Sequence, residues 1–125
     1  MTTFEAGDLV EVPFPFIESG LAKLRPALIL STPDFQLESG ACILAMVTSA
    51  ERSRWQNDCV LEAWSEAGLQ KPSIVRWTVF TLDDSLIVRR RGRLKDNDLA
   101  RIRDAMAQVF SGWSLSGFVD TNNVQ

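Results

Sequence analysis

Residues 8–16 read DLVEVPFPF, a stretch in which apolar side chains recur at every second position. This period of two is typical of a β-strand with one buried face. The face predicted to be buried carries four apolar residues: Val10, Val12, Phe14 and Phe16. Leu9 and Glu11 face the opposite side. Because proline has no N–H for a ladder hydrogen bond, Pro13 and Pro15 predict that the strand ends here or lies at a sheet edge.

Five later stretches have the short length and the apolar or β-branched composition of further strands. They span residues 27–31, 41–48, 58–61, 73–82 and 86–93. We expect polar connections at residues 32–40 and 49–57. The composition of residues 62–68 predicts one helical turn that ends at Gly68.

A long helix is predicted only near the end of the chain. Asp96 is a suitable N-cap, Asp98 favours the positive end of the helix dipole, and Gly112 suits the C′ position. The apolar stripe expected to face the core consists of Leu99, Ile102, Met106, Val109 and Phe110. Strands followed by one helix predict a mostly-β fold class, a small and partly open barrel with a C-terminal helix packed against it. We expect a single domain over residues 1–112 and a C-terminal tail over residues 113–125.

Missing residue types exclude several chemistries. The 125 residues contain no histidine, so Ser-His-Asp and Cys-His nucleophiles and histidine acid–base catalysis are excluded. Gly-rich phosphate loops are absent, which disfavours nucleotide-driven chemistry. Cys42 and Cys59 lack CxxC spacing, and we interpret them as buried, reduced thiols rather than a disulfide, a zinc site or a catalytic thiol. Because histidine is absent, any catalysis would rest on Arg, Lys, Asp, Glu, Ser or Thr, and we expect no metal site and no cofactor.

The net charge of −3 argues mildly against nucleic-acid binding as a global property. The distribution of charge says something different, because four arginines occur within five residues: Arg89, Arg90, Arg91 and Arg93. Strict alternation would put Arg90 alone on one face of the last strand, and Gly92 permits a bulge there. Local basic patches on an acidic body are therefore compatible with the composition.

The sequence gives no sign of a membrane association. Its apolar runs are far shorter than the roughly 18 residues of a membrane-spanning helix. The first residues, MTTFEAGD, have neither the basic nor the apolar region of a secretory signal. We therefore expect a cytoplasmic location.

Several motifs occur in the order in which toxins of the PemK/MazF family carry them. They are GD at residues 7–8, LRPALIL at 24–30, VTS at 47–49, AGL at 67–69, PSIVR at 72–76 and GRL at 92–94. The first, second and third together are fairly specific, whereas any single motif is weak. Over roughly residues 7–110 the sequence resembles the PemK/MazF family of type II toxin–antitoxin systems.

This resemblance implies an SH3-like small β-barrel, of the kind shared by MazF, PemK and CcdB toxins. It implies a metal-independent, sequence-specific endoribonuclease that cleaves single-stranded RNA, forms a homodimer and is neutralised by a cognate antitoxin. The family's catalytic arginine corresponds to Arg25, and its catalytic threonine corresponds to Thr48. An arginine fork can hold two phosphoryl oxygens, and a threonine hydroxyl can orient the reacting groups.

Other positions are candidates for RNA contacts. Lys23 precedes the catalytic arginine, and Ser49 follows the threonine. Some family members carry a carboxylate or a glutamine where this sequence has residues 76–78, and we expect Arg76 or Thr78 to bind RNA in its place. Trp55 lies in a polar loop and is a candidate for base stacking.

Two alternatives stay open at this stage. A related barrel occurs in gyrase poisons, which bind a protein and cut no RNA. The chain could also be a decayed or repurposed barrel that only binds a partner, which the missing carboxylate and the negative charge would favour. A poison has no need of Arg25 and Thr48 at one site, and for this reason the ribonuclease is the favoured interpretation.

Overall fold

The computed structural model describes residues 2–13 and 23–113. These residues form six strands, β1 (Asp8–Pro13), β2 (Leu24–Ile29), β3 (Ala41–Ser49), β4 (Cys59–Val60), β5 (Ser73–Asp83) and β6 (Arg89–Arg93). Two α-helices accompany them, α1 (Pro33–Ser39) and α2 (Asp96–Val109), with 3₁₀ turns at Ala50–Arg52 and Asp84–Leu86. Phe14, Phe16 and the predicted tail beyond Trp113 lie outside the described residues.

The six strands form one antiparallel sheet in the order β4-β5-β3-β2-β1-β6. The sheet curls into a half-barrel with β4 and β6 at its two edges. The predicted fold class, a mostly-β and partly open barrel with a C-terminal helix, is thus confirmed.

A proline within β2 marks the point where its pairing with β3 stops. β1 pairs with strands on both sides, and Pro13 is the last residue described before residue 23. The predicted strand end or edge at Pro13 and Pro15 therefore stays a prediction. In β2, Pro26 is opposite Glu11 of β1, but pairing with β3 begins only at Ala27. A proline donates no ladder hydrogen bond, which accounts for the end of the β2–β3 pairing at this position.

Alternate strand residues enter two apolar clusters, so both faces of the sheet are covered. Val10 and Val12 lie in one cluster, and Leu9 lies in the other. The second cluster contains Ile102 of α2, so the C-terminal helix covers that face. Of the two free cysteines, Cys42 is buried and Cys59 is half-buried, and burial raises the pKa of both thiols. No helix among the described residues is both long and apolar enough to span a membrane.

The prediction of a plain polar connection over residues 32–40 was wrong, because this stretch contains α1. Its boundary signals are present in the sequence. The Thr32 side chain accepts a hydrogen bond from the Phe35 N–H at 3.1 Å, and Gly40 ends the helix at a φ of +74°. The helix was missed because it has no apolar stripe. Its one buried residue is Gln36, which bonds the main chain of Phe4 and the carboxylate of Asp84.

The boundaries of α2 also differ from the prediction. Lys95, not Asp96, is the N-cap and makes no capping hydrogen bond. Phe110, expected in the apolar stripe that faces the core, is instead the exposed C-cap, so Ser111 and not Gly112 takes the C′ position. Hydrogen bonds to a buried side chain of the first turn, and not a capping side chain, fix the start of this helix. The buried carboxylate of Asp98 accepts hydrogen bonds from the main-chain N–H groups of Glu62 and Ala63, at 3.0 and 2.9 Å.

A buried carboxylate also fixes the loop that follows β3. Asp58 accepts main-chain hydrogen bonds from Arg54 and Trp55, at 2.9 and 3.0 Å. It forms a two-point ion pair with Arg76, at 3.1 and 2.9 Å. Burial favours a raised pKa for Asp58, but the hydrogen bonds from Arg76 and the loop outweigh it and the pKa is lowered.

Gly92 lets β6 approach the turn at residues 67–68. A Cβ at this position would lie 1.9 Å from the carbonyl oxygen of Ala67. The atoms that this Cβ would meet belong to the main chain of residues 67 and 68 and cannot move aside easily. We therefore expect Gly92→Ala to reduce the free energy of unfolding by about 3 kcal/mol or more. Gly112→Ala, where a Cβ meets nothing within 4 Å, is the control. Urea denaturation measures the stability of both variants. Equal stabilities of Gly92→Ala and Gly112→Ala would contradict the close contact at Gly92.

Asp58 makes stability depend on pH. Its pKa is lower in the folded protein than in the unfolded chain, so its contribution is complete above an unfolded pKa of about 3.9 and is lost as the pH falls through the folded pKa. We expect Asp58→Asn to cost about 3 kcal/mol at neutral pH and markedly less near pH 3. Asp104→Asn, at an exposed position of α2, is the control. Denaturation curves of the parent and both variants at the two pH values measure the free energy of unfolding. An equal loss of stability in Asp58→Asn at both pH values would refute the prediction.

Candidate functional site

A polar groove with a volume of about 370 Å³ opens where the pairing of β2 and β3 stops. Residues from five parts of the fold line it: β1, β2 with β3, the 3₁₀ turn Ala50–Arg52, the segment 69–73, and β6. The lining residues that carry charge or a hydroxyl are Glu11, Arg25, Thr48, Ser49, Arg52, Lys71, Ser73, Arg89 and Arg91.

The register of β2 and β3 brings Arg25 and Thr48 to this groove. Ala27 is opposite Met46 in the last pair of the ladder. Arg25 and Thr48 each lie two residues beyond that pair, so alternation directs them to the same side at the same end of the two strands. Arg25 is exposed, and no hydrogen bond or ion pair joins it to another described residue. Its guanidinium is therefore available to a ligand within this part of the structure.

Ser49 and Arg52 extend the groove beyond Thr48. The Ser49 hydroxyl accepts a hydrogen bond from the N–H of Glu51 at 3.3 Å and caps the 3₁₀ turn. Ser49 thus has a local structural role as well as a place in the groove lining. Lys23 is exposed just before β2 but is not among the lining residues.

Glu11 holds two arginines of β6 in the groove. Its carboxylate accepts hydrogen bonds from Arg89 at 2.6 Å and from Arg91 at 2.7 Å. The hydrogen bond from Arg89 is the main reason why the pKa of Glu11 is lowered, and the charge of Arg91 adds to it. A carboxylate occupied in this way is a poor proton acceptor, so its role here is to position the two guanidinium groups.

The predicted alternation of the arginine run was wrong at its end. Arg90 and Arg93 both pair with Asp8, at 3.2 and 3.1 Å, so Arg93 does not share the face of Arg89 and Arg91. The cause is the bulge that Gly92 was expected to permit. Leu9 is opposite Gly92 and Val10 is opposite Arg90, which leaves Arg91 as the extra residue and reverses the alternation after it.

Positive charge is concentrated in this groove. Five basic side chains against one carboxylate give the lining a net charge of +4, in a chain whose net charge is −3. The local basic patch that the sequence allowed is therefore present. It is assembled from separate strands and loops and includes only two of the four clustered arginines.

The structure does not bring Arg76 or Thr78 to the groove. Arg76 is engaged by Asp58 and by the carbonyl oxygen of Arg52, at 2.8 Å for the latter. The hydrogen bonds that Arg76 donates to the carboxylate of Asp58 raise the pKa of Arg76. Thr78 is half-buried in a β5 bulge, where Ala45 is opposite Val79 while the next residue of β3 is opposite Arg76. RNA binding by these two residues stays a prediction that needs a different surface.

Sequence reasoning missed three charged residues of the groove, which are Glu11, Arg52 and Lys71, and it did not predict that Glu11 pairs with Arg89 and Arg91. One signal was available for Glu11, an acidic side chain between the apolar residues Val10 and Val12 in a protein with an arginine-rich last strand. Arg52 and Lys71 lie in loops without a motif, and only the fold brings them together. Among the described residues, no group of three or more His, Cys, Asp or Glu is arranged to hold a metal ion.

Comparisons with known proteins agree with this architecture. Similar solved structures include a MazE–MazF complex from Deinococcus radiodurans, 22% identical, with a TM-score of 0.69 over 91% of this chain and 100% of that chain. An endoribonuclease from a mycobacterial species, solved with its cognate antitoxin, is 13% identical, with a TM-score of 0.69 and the same coverage. The Mycobacterium tuberculosis toxin MazF-mt6 is 18% identical, with a TM-score of 0.68 over 85% and 99% of the two chains.

At these identities the likeness concerns the fold alone. No curated protein matches the sequence significantly. The family model for PemK-like, MazF-like toxins of type II toxin–antitoxin systems matches residues 5–110. That match covers most of the chain, and with the half-barrel fold it shows that this protein belongs to the PemK/MazF-like toxin family.

Proposed function

We propose that this toxin is a metal-independent, sequence-specific endoribonuclease that cleaves single-stranded RNA by attack of a 2′-hydroxyl. The observation that carries the proposal is the meeting of Arg25 and Thr48 in one cationic groove. A toxin that only bound a protein would not need a hydroxyl and a guanidinium, the latter without a partner among the described residues, in one groove.

The chemistry fits the residue types that the groove offers. The 2′-oxygen bonds to the adjacent phosphorus while the bond from phosphorus to the 5′-oxygen breaks. The products are a 2′,3′-cyclic phosphate and a 5′-hydroxyl, and the proton lost by the 2′-hydroxyl is balanced by the one gained by the leaving oxygen. Negative charge grows on the phosphoryl oxygens in the transition state. Arg25 can hold two of these oxygens without ever losing its proton.

Thr48 has a positioning role in this scheme. A threonine hydroxyl is a poor general base at neutral pH, but it can donate a hydrogen bond to the scissile phosphate or accept one from the 2′-hydroxyl. Correct orientation of the two reacting groups is itself a large part of catalysis. Because the nucleophile belongs to ribose, the same scheme explains a preference for RNA over DNA.

The groove charge favours a polyanion, and single-stranded RNA is the polyanion that we propose. Phosphates would replace counterions along the lining, so affinity should fall as salt rises. Arg89 and Arg91, held by Glu11, offer positions for phosphates beside the scissile one. We place this activity in the cytoplasm, where RNA is abundant.

The cognate antitoxin and a second copy of the chain are the proposed protein partners. A segment of the antitoxin would occupy the groove containing Arg25, as an added strand or a helix, and exclude RNA. For the homodimer, the features in favour are the edge strand β6 and the exposed apolar side chains of Leu86 and Val88 beside it.

Arg25 and Thr48 are tested by cleavage of a long single-stranded RNA in EDTA. We expect the parent to give discrete fragments that end in a cyclic phosphate, and Arg25→Ala to lose about 10²–10³-fold in rate because a transition-state donor is gone. Thr48→Val should lose about 10²-fold through misplaced reacting groups. Mass spectrometry of the fragment ends and gel-based rates give both quantities.

The matched control is Arg103→Ala, which removes an exposed arginine of α2 outside the groove and should cut at the parental rate. Intact RNA with the parent protein would refute the ribonuclease and favour a protein-binding toxin. Unchanged cleavage by Arg25→Ala would refute the assigned site.

The antitoxin arrangement is tested by hydrogen exchange on the complex with the product of the adjacent gene. We expect slower exchange at residues 24–26 and 47–52, because an inserted segment shields the groove. Helix α1 (Pro33–Ser39) serves as the internal reference and should exchange as in the free toxin. Protection of α1 with an unprotected groove would contradict this placement.

A further inference from the structure

Trp55 forms a supported aromatic surface beside the groove. The guanidinium carbon of Arg76 lies 4.7 Å from the centroid of the Trp55 ring, and 49% of the residue remains exposed. One face of the indole therefore has a cation against it, while a large part of the ring is open to solvent. We propose that the open face of Trp55 is a stacking position for one nucleobase of the single-stranded RNA that lies in the groove.

The support beneath the ring is rigid. Arg76 is held at three points, by both oxygens of Asp58 and by the carbonyl oxygen of Arg52. The same carboxylate accepts the main-chain N–H of Trp55 at 3.0 Å, so one buried group fixes both the ring's backbone and the cation against it. A ligand that stacks on such a surface pays little entropy for ordering it.

The stacking position is close enough to the groove for one strand to reach both. Arg52 lines the groove, and its carbonyl oxygen is one of the groups that hold Arg76. Trp55 follows Arg52 by three residues, so their Cα atoms are at most about 11 Å apart. A strand whose phosphates follow the basic lining can thus present a base to Trp55 within a few nucleotides.

The neighbourhood favours a nucleobase over other aromatic-binding ligands. Every base has a flat π-face, and stacking on an aromatic side chain beside a cationic track is the usual way proteins hold single strands. Arg76 gives three hydrogen bonds to Asp58 and Arg52 and its side chain is only 15% exposed, so we expect it to act through the ring of Trp55. This inference rests on the proposed function in one respect, that RNA is the occupant of the groove.

The test measures binding without cleavage. The probe is a short, fluorescently labelled single strand with 2′-deoxyriboses, which lacks the nucleophile, and affinity is read by anisotropy. We expect Trp55→Ala to weaken binding by about 5- to 150-fold, the range of one stacked base. Trp55→Phe should retain most of the affinity, because a flat ring remains.

Two controls isolate the stacking contact. Trp113→Ala removes the most exposed tryptophan of the described residues and should bind as the parent does. An abasic strand of the same length and charge should bind Trp55→Ala and the parent equally. Parental affinity of Trp55→Ala for the base-bearing strand, or an equal loss for the abasic strand, would overturn the proposal. The proposal would also be overturned if Trp55→Ala changed the sedimentation of the protein but not its affinity for the strand, because Trp55 would then contact another protein chain.

RNA cleavage by the parent, measured separately, keeps the two proposals distinguishable. If the parent leaves RNA intact but strand affinity depends on the Trp55 ring, the ribonuclease proposal fails and the stacking position stands. If the parent cuts RNA and its affinity for the strand does not depend on Trp55, only the proposed stacking position is refuted.

Discussion

The antiparallel register of β2 and β3 is the constraint on which the candidate site depends. With Ala27 opposite Met46, positions 25 and 48 reach the same end and the same side of the sheet. A slip of one residue in either strand would turn one of the two side chains to the other face. Pro26 adds a second condition, because the pairing stops there and a groove opens instead of a continued ladder. Burial of both sheet faces holds this register in place.

Acidic residues organise the basic surface of this protein. Glu11 directs two arginines into the groove, and Asp8 engages the other two away from it. Asp58 does the same for Arg76 at the neighbouring loop. Carboxylates thus decide where guanidinium groups point, and a chain with a net negative charge can still present a local charge of +4. Net charge alone is a weak guide to the ligands of such a protein.

Much of the fold was predictable because its signals are local. The period of two in β1, the β-branched run of β5 and the apolar stripe of α2 each lie within one segment. Helix α1 was missed because its sequence has capping residues but no apolar stripe. The faces of the β6 arginines were predicted wrongly because the bulge depends on the pairing of β6 with β1. For the site, the family motifs indicated Arg25 and Thr48, and the groove contains both. Arg52, Lys71 and the Glu11 anchor depend on contacts between distant segments, which no single stretch of sequence encodes.

The makeup of the groove has a consequence for how such a toxin would respond to its surroundings. Four of its five cations are arginines, which do not deprotonate in proteins, and the pKa of its one carboxylate is held below the usual range. With no histidine anywhere in the chain, mild acid stress leaves the electrostatic field of the groove almost unaltered. A polyanion attracted by these charges would therefore bind with little dependence on pH across the mildly acidic range.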